Sequence, residues 1–174
     1  MTINIKGTLL DLTKPKIMGI LNITPDSFFD GGEYNSEYKI LNQVEKMLSE
    51  GADIIDVGGH SSRPGAKKIT IEKETERVIP IIKLITGKFK NTIISIDTFR
   101  SEIARKAIEA GASIINDISG GDLDNKMYEV AGELKVPYII MHMKGVPSNM
   151  QNNTEYDNVI FDIIKNLSYK IDLA

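Results

Sequence analysis

Cysteine is absent from the chain, and histidine occurs only twice in 174 residues. The first absence excludes disulfides, thiolate zinc sites and cysteine nucleophiles, and it fits a reducing cytosol. The two histidines, His60 and His142, are far apart, and neither lies in a His-Glu-x-x-His pattern. A histidine-bound zinc site is therefore not expected, and each histidine is interpreted as a hydrogen-bonding loop residue.

The chain also lacks an excess of positive charge and a long hydrophobic run. Lys and Arg total 21 against 24 Asp and Glu, a net charge of −3. This balance argues against nucleic acid or an anionic membrane surface as a partner. No apolar run approaches the ~18 residues of a membrane span, and the N-terminal segment is too polar for a signal-peptide core. We expect a cytoplasmic protein with small-molecule partners and one domain over residues 1–174.

Short apolar runs alternate with helical patterns along the chain. The runs rich in Ile and Val are 16–21, 53–57, 92–97, 113–117 and 136–142. Each is apolar through most of its length, as expected for a parallel strand covered on both faces. The segments with helical periodicity are 36–50, 71–86, 101–110, 123–134 and 155–173. Residues 3–10 are expected to form a hairpin ahead of the first of these strands.

Capping residues mark the ends of several predicted helices. Ser36 is predicted to be the N-cap of the first helix, and Gly51 follows its end. The third helix is predicted to start at Ser101 and to stop at Gly111. Pro80 lies inside the second helical pattern and is expected to kink or interrupt it.

Alternation of strands and helices predicts parallel strands joined by right-handed crossovers. A doubly wound sheet and a (β/α)₈ barrel both have this order. No Gly-x-Gly-x-x-Gly follows the first strand, which weakens the dinucleotide-binding sheet. A barrel typically needs about 250 residues, and this chain has five βα units. We therefore predict an α/β fold of the TIM-barrel type, truncated to about the first five βα units and incomplete at its C-terminus.

Ligands bind beyond the carboxyl ends of the strands in both architectures. Polar and glycine-rich segments follow every predicted strand, at 22–32, 58–66, 97–100, 116–121 and 142–147. The loops on the opposite side are short and plain. This asymmetry predicts a functional face at the carboxyl ends of the strands.

Alternation along the strands places four polar or soft side chains on inward faces: Asn22, Asp97, Asn116 and Met141. Together they suit a heterocycle with several donors and acceptors, because a carboxylate accepts paired N–H groups and an amide both donates and accepts. Taken singly, Asp97 and Asn116 are equally well interpreted as caps of the following helix or turn. Convergence from several strands favours the site.

The loops after the first two strands carry further chemistry. Ser62 and Arg63 lie in a glycine-rich segment that suits a phosphate or diphosphate, although a solvated turn is the commoner fate of such a sequence. Asn22, Asp26 and Asp30 offer the oxygen ligands that Mg²⁺ prefers. The alternative for Asp26 and Asp30 is a mobile glycine-rich loop in which these acids face water. The adjacent residues 28 and 29 are both Phe, which predicts a lid over an aromatic ligand.

Five stretches carry a family resemblance. They are MGILNITPDSFFDGG (18–32), GADIIDVGGHSSRPGA (51–66), SIDTFR (95–100), INDISGG (115–121) and MHMKG (141–145). In order and spacing they closely resemble the dihydropteroate synthases, folate-pathway transferases of the pterin-binding TIM-barrel family. The resemblance implies an enzyme that condenses 7,8-dihydropterin-6-ylmethyl diphosphate with 4-aminobenzoate, releasing pyrophosphate, with Mg²⁺ as cofactor.

The resemblance also implies roles for single residues. Asn22 would bind Mg²⁺, with Asp30 as its second ligand. The substrate-binding residues would be Ser62 and Arg63 at the diphosphate, Asp97, Asn116 and Met141 at the pterin, and Phe28 and Pro64 at 4-aminobenzoate. Asp97 would act electrostatically, and no residue is implied as a general acid or base.

The sequence departs from the family pattern in single residues and in extent. His60 stands where Glu is common, Phe29 where Ser is common, and Ser62 where Thr is usual. Family residues of the sixth to eighth strands have no counterpart within 1–174, so this chain alone is expected to be weakly active or inactive. Two alternatives stay open, a methyltetrahydrofolate-binding methyltransferase domain and a non-catalytic half-barrel. A homodimer is also left open for the full-length protein.

Overall fold

A computed structural model describes residues 1–23, 33–60 and 69–174, without the side chains of 33–35. Its strands are β1 (Thr2–Ile5), β2 (Thr8–Asp11), β3 (Met18–Asn22), β4 (Ile54–Gly58), β5 (Ile93–Asp97), β6 (Ile114–Asp117) and β7 (Tyr138–Ile140). Its α-helices in these ranges are α1 (Glu33–Ser49), α2 (Ile71–Lys88), α3 (Ser101–Ala110), α4 (Lys126–Leu134) and α5 (Val159–Leu173), and a 3₁₀ helix spans Met150–Asn152.

Strands β3 to β7 form one parallel sheet in the order of the sequence, β3-β4-β5-β6-β7. Each strand is thus followed by a helical segment and then by its immediate neighbour. A doubly wound sheet would reverse direction part of the way across, whereas a barrel adds each new strand on the same side. The predicted α/β fold of the barrel type is confirmed for these five units.

The main core lies between the sheet and the helices. Most of the strand residues that point to the helices are fully buried, for example Leu21, Ile55 and Ile96. Helix residues such as Val44 and Ile82 meet them from the other side. This layer explains the apolar composition of the strands, because the sheet packs one face against the helices.

A second, smaller apolar cluster covers the other face at the amino ends of the strands. Ile5 packs there with Ile54 and Ile114. The antiparallel hairpin of β1 and β2 supplies Ile5, and its turn at Lys6 and Gly7 has positive φ at both residues, 49° and 86°. Such a turn matches the twist of a two-residue hairpin. The predicted hairpin is confirmed, and it closes the end of the sheet opposite to the predicted site.

Several predicted element ends are wrong. Helix α1 begins at Glu33, so Ser36 lies inside the helix and is not its N-cap. Helix α2 runs uninterrupted through Pro80, since the burial of its apolar side against the sheet outweighs the hydrogen bond that proline cannot donate. Strand β7 covers only three residues, Tyr138–Ile140, and is therefore shorter than the predicted run 136–142.

Helix α5 packs in an unusual way. Lys170 is its one buried residue. The apolar stripe of Ile160, Ile164 and Ile171 is exposed, at 69%, 59% and 64%. Ile20 of β3 and Ile139 of β7 are also exposed on the face of the sheet away from the helices. The described part of the chain thus leaves apolar surface exposed on α5 and on the face of both edge strands that points away from the helices.

We expect the 174-residue polypeptide, expressed by itself, to associate as its concentration rises, because this apolar surface lacks a cover. Ile164→Lys should weaken the association, which sedimentation velocity over a range of concentrations measures. Leu9→Lys is the matched control, since Leu9 is equally exposed, at 68%, but lies on the hairpin. A monomer at all concentrations, or an equal effect of the two substitutions, would contradict this expectation.

Candidate functional site

One row of paired residues crosses the carboxyl ends of the strands. Its register is Asn22↔Gly58↔Asp97↔Asn116↔Ile139. Three residues predicted from separate loops therefore become neighbours on one face of the sheet, the face away from the helices. Parallel pairing accounts for this, because equivalent positions of successive strands align across the sheet.

Gly58 leaves the space between two of these side chains open. A Cβ at this position would lie 3.1 Å from Oδ2 of Asp97 and 3.4 Å from Oδ1 of Asn22. A larger residue would push against both oxygens. The glycine thus allows a carboxylate and an amide oxygen to border one small space at the mouth of the sheet.

Asp56 lies one layer deeper on the same face and was not predicted. It pairs with Ile20 and Ser95 in the register, is 4% exposed, and its Oδ2 accepts a 3.0 Å hydrogen bond from Nδ2 of Asn116. Burial raises the pKa of Asp56, which outweighs the opposite effects of Ser95 and Asn116. Its sequence signal was available, since an aspartate inside an otherwise apolar strand implies a buried polar contact.

Asp97 has the most strongly perturbed carboxyl group of this row. Burial raises its pKa to about 7, and the nearby carboxylates of Asp56, Glu74 and Asp117 add to the effect. Near neutral pH this carboxyl is therefore divided between a protonated and an ionised form. Perturbation by burial and like charges at the mouth of a barrel is typical of a functional residue.

Met141 directly follows β7, at the carboxyl end of the sheet. Its side chain is 38% exposed, and its carbonyl accepts a hydrogen bond from Nζ of Lys170. The structure therefore places all four of the inward-facing residues predicted from the strands at one end of the sheet. Ser62, Arg63, Phe28, Pro64, Asp26, Phe29 and Asp30 lie outside the described residues, and their roles remain predictions.

Two arginines hold the described residues that flank 61–68. Arg77 donates from Nη1 to the carbonyl of Gly59 at 2.9 Å, and Arg100 donates from Nη2 to the carbonyl of Ile69 at 2.6 Å. Arg100 also forms an ion pair of 2.7 Å with Glu74, whose side chain is 1% exposed. Sequence reasoning missed these residues, because their partners come from three separate elements.

Glu74 links this ion pair to the end of β5. The Thr98 hydroxyl donates to it at 2.7 Å, and Thr98 directly follows Asp97. The same side chain therefore fixes the turn after Asp97 and repels the Asp97 carboxylate. In this way a buried ion pair outside the row contributes to the electrostatics inside it.

The two histidines lie in different surroundings. His142 lies 2.8 Å from Oδ1 of Asn166 and 3.0 Å from the hydroxyl of Tyr156, through its two ring nitrogens. His60 packs edge-on against Phe99, with ring centroids 5.3 Å apart, and burial lowers its pKa. No cluster of three His, Asp or Glu side chains suited to a metal occurs among the described residues.

The described donor set still fits Mg²⁺ in one common form. Mg²⁺ often takes one or two protein oxygens and fills its other positions with water and substrate phosphates. Asn22 is exposed, and its amide oxygen borders the same space as Asp97. This residue is therefore available to hold Mg²⁺ together with oxygens that a bound phosphate ester would bring.

A parallel sheet that grows strand by strand, with a polar row at its carboxyl ends, defines an α/β-barrel protein with a ligand site at that face. No helix in the described ranges meets the criteria for a membrane span. The family model of the pterin-binding enzymes matches residues 18–174. The chain belongs to this family.

Curated relatives and solved structures agree with the family. The chain is 46% identical to dihydropteroate synthase of Synechocystis over 168 residues, 96% of this chain and 58% of that protein. It is 44% identical to the Escherichia coli enzyme over 158 residues, 91% of this chain and 55% of that protein. The Yersinia pestis enzyme, solved with a sulfonamide drug complex, superposes with a TM-score of 0.88 at 38% identity, covering 99% of this chain and 62% of that one. The chain thus spans little more than half the length of these proteins.

Asp97 should make folding stability depend on pH. Its pKa is higher in the folded state than the ordinary value of 3.8, so the folded state binds more protons between about pH 4 and pH 7. The contribution of Asp97 to the free energy of unfolding therefore falls as pH rises through this window. Asp97→Asn should remove that fall and raise stability at pH 8 by roughly 1 kcal/mol or more.

Urea unfolding from pH 4 to pH 8 measures this effect. Asp172→Asn is the matched control, because Asp172 is an exposed carboxylate on α5. If both variants follow the pH dependence of the parent chain, the perturbed carboxyl is not Asp97.

Arg100→Met should destabilise the fold by about 3 kcal/mol, because it leaves Glu74 buried without its cation. Urea unfolding at neutral pH measures the loss. Arg105→Met removes an ion pair with Glu133 that is exposed on both sides and should change little. Similar stabilities for the two variants would show that the Glu74–Arg100 pair does not hold these elements together.

Proposed function

We propose that this chain forms part of a dihydropteroate synthase, a transferase of folate biosynthesis. The reaction joins 7,8-dihydropterin-6-ylmethyl diphosphate to 4-aminobenzoate, breaking a C–O bond to the diphosphate and forming a C–N bond to the arylamine. The observation that carries the proposal is the row of Asn22, Asp97 and Asn116 at one mouth. Among the solved structures it resembles, the Xanthomonas albilineans enzyme was solved with 4-aminobenzoic acid, at 35% identity and a TM-score of 0.84.

Asp97 and Asn116 of the row, with Met141 beside them, suit a pterin ring. A pterin offers adjacent N–H groups, which the ionised Asp97 carboxylate accepts as a pair. The amide nitrogen of Asn116 donates to Asp56, which orients the amide and leaves its oxygen to accept from the ring. Met141, half exposed beside this row, supplies an apolar contact for the flat face of the ring.

Asn22 and the predicted residues Asp30, Ser62 and Arg63 suit the diphosphate and the departure of pyrophosphate. Ser62 and Arg63 would bind the diphosphate, and Asn22 with Asp30 would hold Mg²⁺ beside it. Bound Mg²⁺ would stabilise the negative charge that develops on the pyrophosphate.

The pterin carbon gains positive charge as that bond breaks, and ionised Asp97 stabilises the ring that shares it. Phe28 and Pro64 would place 4-aminobenzoate so that its amine attacks this carbon and loses its proton to an oxygen of the departing pyrophosphate.

A half-barrel that works only with a complementary chain is the second candidate. The exposed stripe of α5, together with Ile20 and Ile139, favours it, because this apolar surface is left exposed in a chain that covers 55% of the Escherichia coli relative. In either case we propose a cytoplasmic protein with small-molecule substrates. A homodimer remains a proposal for a complete barrel.

Reconstitution tests both candidates. The 174-residue chain is mixed with the C-terminal barrel portion of the Escherichia coli relative, and dihydropteroate formation is measured with both substrates and Mg²⁺. We expect weak or no turnover from either part alone, turnover from the mixture, and loss of turnover on removal of Mg²⁺ with EDTA. Asp97→Asn should lower turnover by about 10- to 100-fold, the worth of a hydrogen bond to a charged group.

Asp11→Asn is the control, because Asp11 lies on the hairpin at the opposite end of the sheet. A mixture that binds the pterin diphosphate but forms no dihydropteroate would contradict the synthase and favour a binding role. Full turnover by the chain alone would contradict the need for a complement. Unchanged turnover in Asp97→Asn would show that Asp97 does not hold the pterin.

A further inference from the structure

Lys170 lies at the junction of three separate parts of the fold. Its side chain is 1% exposed, and Nζ donates to the carbonyls of Ser119 at 2.6 Å and of Met141 at 3.3 Å. Oδ2 of Asp122 lies 2.7 Å from the same nitrogen. All three partners are acceptors and cannot bond to one another. An ammonium group with three donors is the one kind of side chain that satisfies them together from a single atom.

The burial of this lysine is not explained by ordinary helix packing. An amphipathic helix normally buries its apolar residues and exposes its lysines. Helix α5 departs from this pattern at one lysine, because Lys170 is buried while Ile160, Ile164 and Ile171 are exposed. Removing an ammonium group from water is costly, and partners of good geometry only partly compensate. The burial of Lys170 is therefore best explained by a role in fixing the positions of its three partners.

The partners of Lys170 extend a short strand pairing. Strands β6 and β7 pair over three positions only, Ile115↔Tyr138, Asn116↔Ile139 and Asp117↔Ile140. Beyond Asp117 and Ile140 the two strands do not pair further. Lys170 joins the segments that follow them, because its Nζ binds the carbonyl of Ser119 after β6 and the carbonyl of Met141 after β7. Lys170 thus adds a second link between the two strand ends to the hydrogen bond that the Tyr138 hydroxyl donates to the Asp117 carboxylate.

The loop after β6 is built to meet Lys170. The buried Asp117 carboxylate accepts from the backbone N–H groups of Ser119 and Gly121, each at 2.8 Å. Gly120 adopts φ +55°, and a Cβ there would lie 2.9 Å from the Met141 carbonyl oxygen and 3.0 Å from Lys170 Nζ. Only glycine permits this approach, so the loop, the lysine and the end of β7 form one close-packed unit.

Both strand ends carry residues of the candidate site. Asn116 directly precedes Asp117, and Met141 directly follows the last residue of β7. On the basis of the function proposed above, we propose that Lys170 is a positioning residue that sets Met141 at its working distance from Asn116. Lys170 itself does not contact the ligand, and its effect on pterin binding passes through Met141.

A double-mutant cycle tests this route in the reconstituted barrel. Lys170→Met, Met141→Ala and the double variant are compared with the parent by calorimetric binding of the pterin diphosphate substrate. We expect Lys170→Met to weaken binding by about tenfold, but by less than about twofold when Met141 is already Ala. The KM for 4-aminobenzoate should stay nearly constant, since that substrate does not rest on this strand end.

Two variants complete the design. Lys170→Arg keeps a buried cation with several donors and should restore most of the pterin affinity. Lys165→Met is the matched control, because Lys165 is an exposed lysine on the same helix, and it should bind the pterin like the parent. If Lys170→Met does not fold, Asp122→Asn weakens the same cluster from its half-exposed side and should lower pterin affinity in the same direction.

Each contrary result has a distinct meaning. An equal loss with and without the Met141 side chain would overturn the proposal, because Lys170 would then act independently of Met141. Equal losses for both substrates would overturn it as well and leave a general structural role. A parent barrel that fails to bind the pterin at all contradicts the proposed function itself, whereas normal binding by parent and Lys170→Met alike overturns only the inference about Lys170.

Discussion

The in-register pairing of five parallel strands is the constraint on which the rest of the site depends. Because equivalent strand positions align, one row contains the last residues of β3, β4 and β5 and the penultimate residue of β6, Asn116. Gly58 keeps the middle of that row open, so that Asn22 and Asp97 border the same space. A shift of any strand by one residue would turn its polar side chain towards the helices and its apolar neighbour into the site.

The electrostatics of this region follow from four buried or half-buried carboxylates with unequal partners. Glu74 has Arg100 and the Thr98 hydroxyl, and Asp117 is bound by backbone N–H groups and by the Tyr138 hydroxyl. Asp56 accepts from Asn116. Asp97 has no hydrogen-bond donor of this kind among the described residues and feels the charge of the other three. The pKa of Asp97 is therefore raised because its carboxyl group is buried beside three other carboxylates. The same carboxyl group is left able to accept hydrogen bonds from a ligand.

Three cations of the described residues stabilise the edges of the site. Arg77 and Arg100 hold the backbone on either side of residues 61–68, and Lys170 holds the loop after β6 to the end of β7. Each binds main-chain carbonyls, whose positions determine where the adjoining residues point. Buried charges cost stability, and here they are placed where they fix loop ends next to the row. The exposed apolar side of α5 shows that hydrophobic surface is left unburied on the helix that carries Lys170.

Much of the fold was predictable from local patterns. Ile- and Val-rich runs bounded by turn residues located all five parallel strands, and the hairpin and the ends of α3 were also predicted. These features depend on residues within a few positions of one another, as does the alternation that turned Asp97 and Asn116 inward. The start of α1 at Glu33 was not predicted. The passage of α2 through Pro80 was not predicted either, because burial of the apolar side of that helix outweighs the local preference.

The rest of the site depended on contacts between residues far apart in the sequence. Asp56 and Asn116 are 60 positions apart, Thr98 and Glu74 are 24 apart, and Lys170 and Ser119 are 51 apart. The sequence by itself determined the family, the strand order and the end of the sheet that carries polar residues, since those follow from periodicity and local motifs. The tertiary structure alone decided which charges are buried, which carboxylate is perturbed and which cations hold the loops, because hydrogen bonding and desolvation depend on neighbours that only folding brings together.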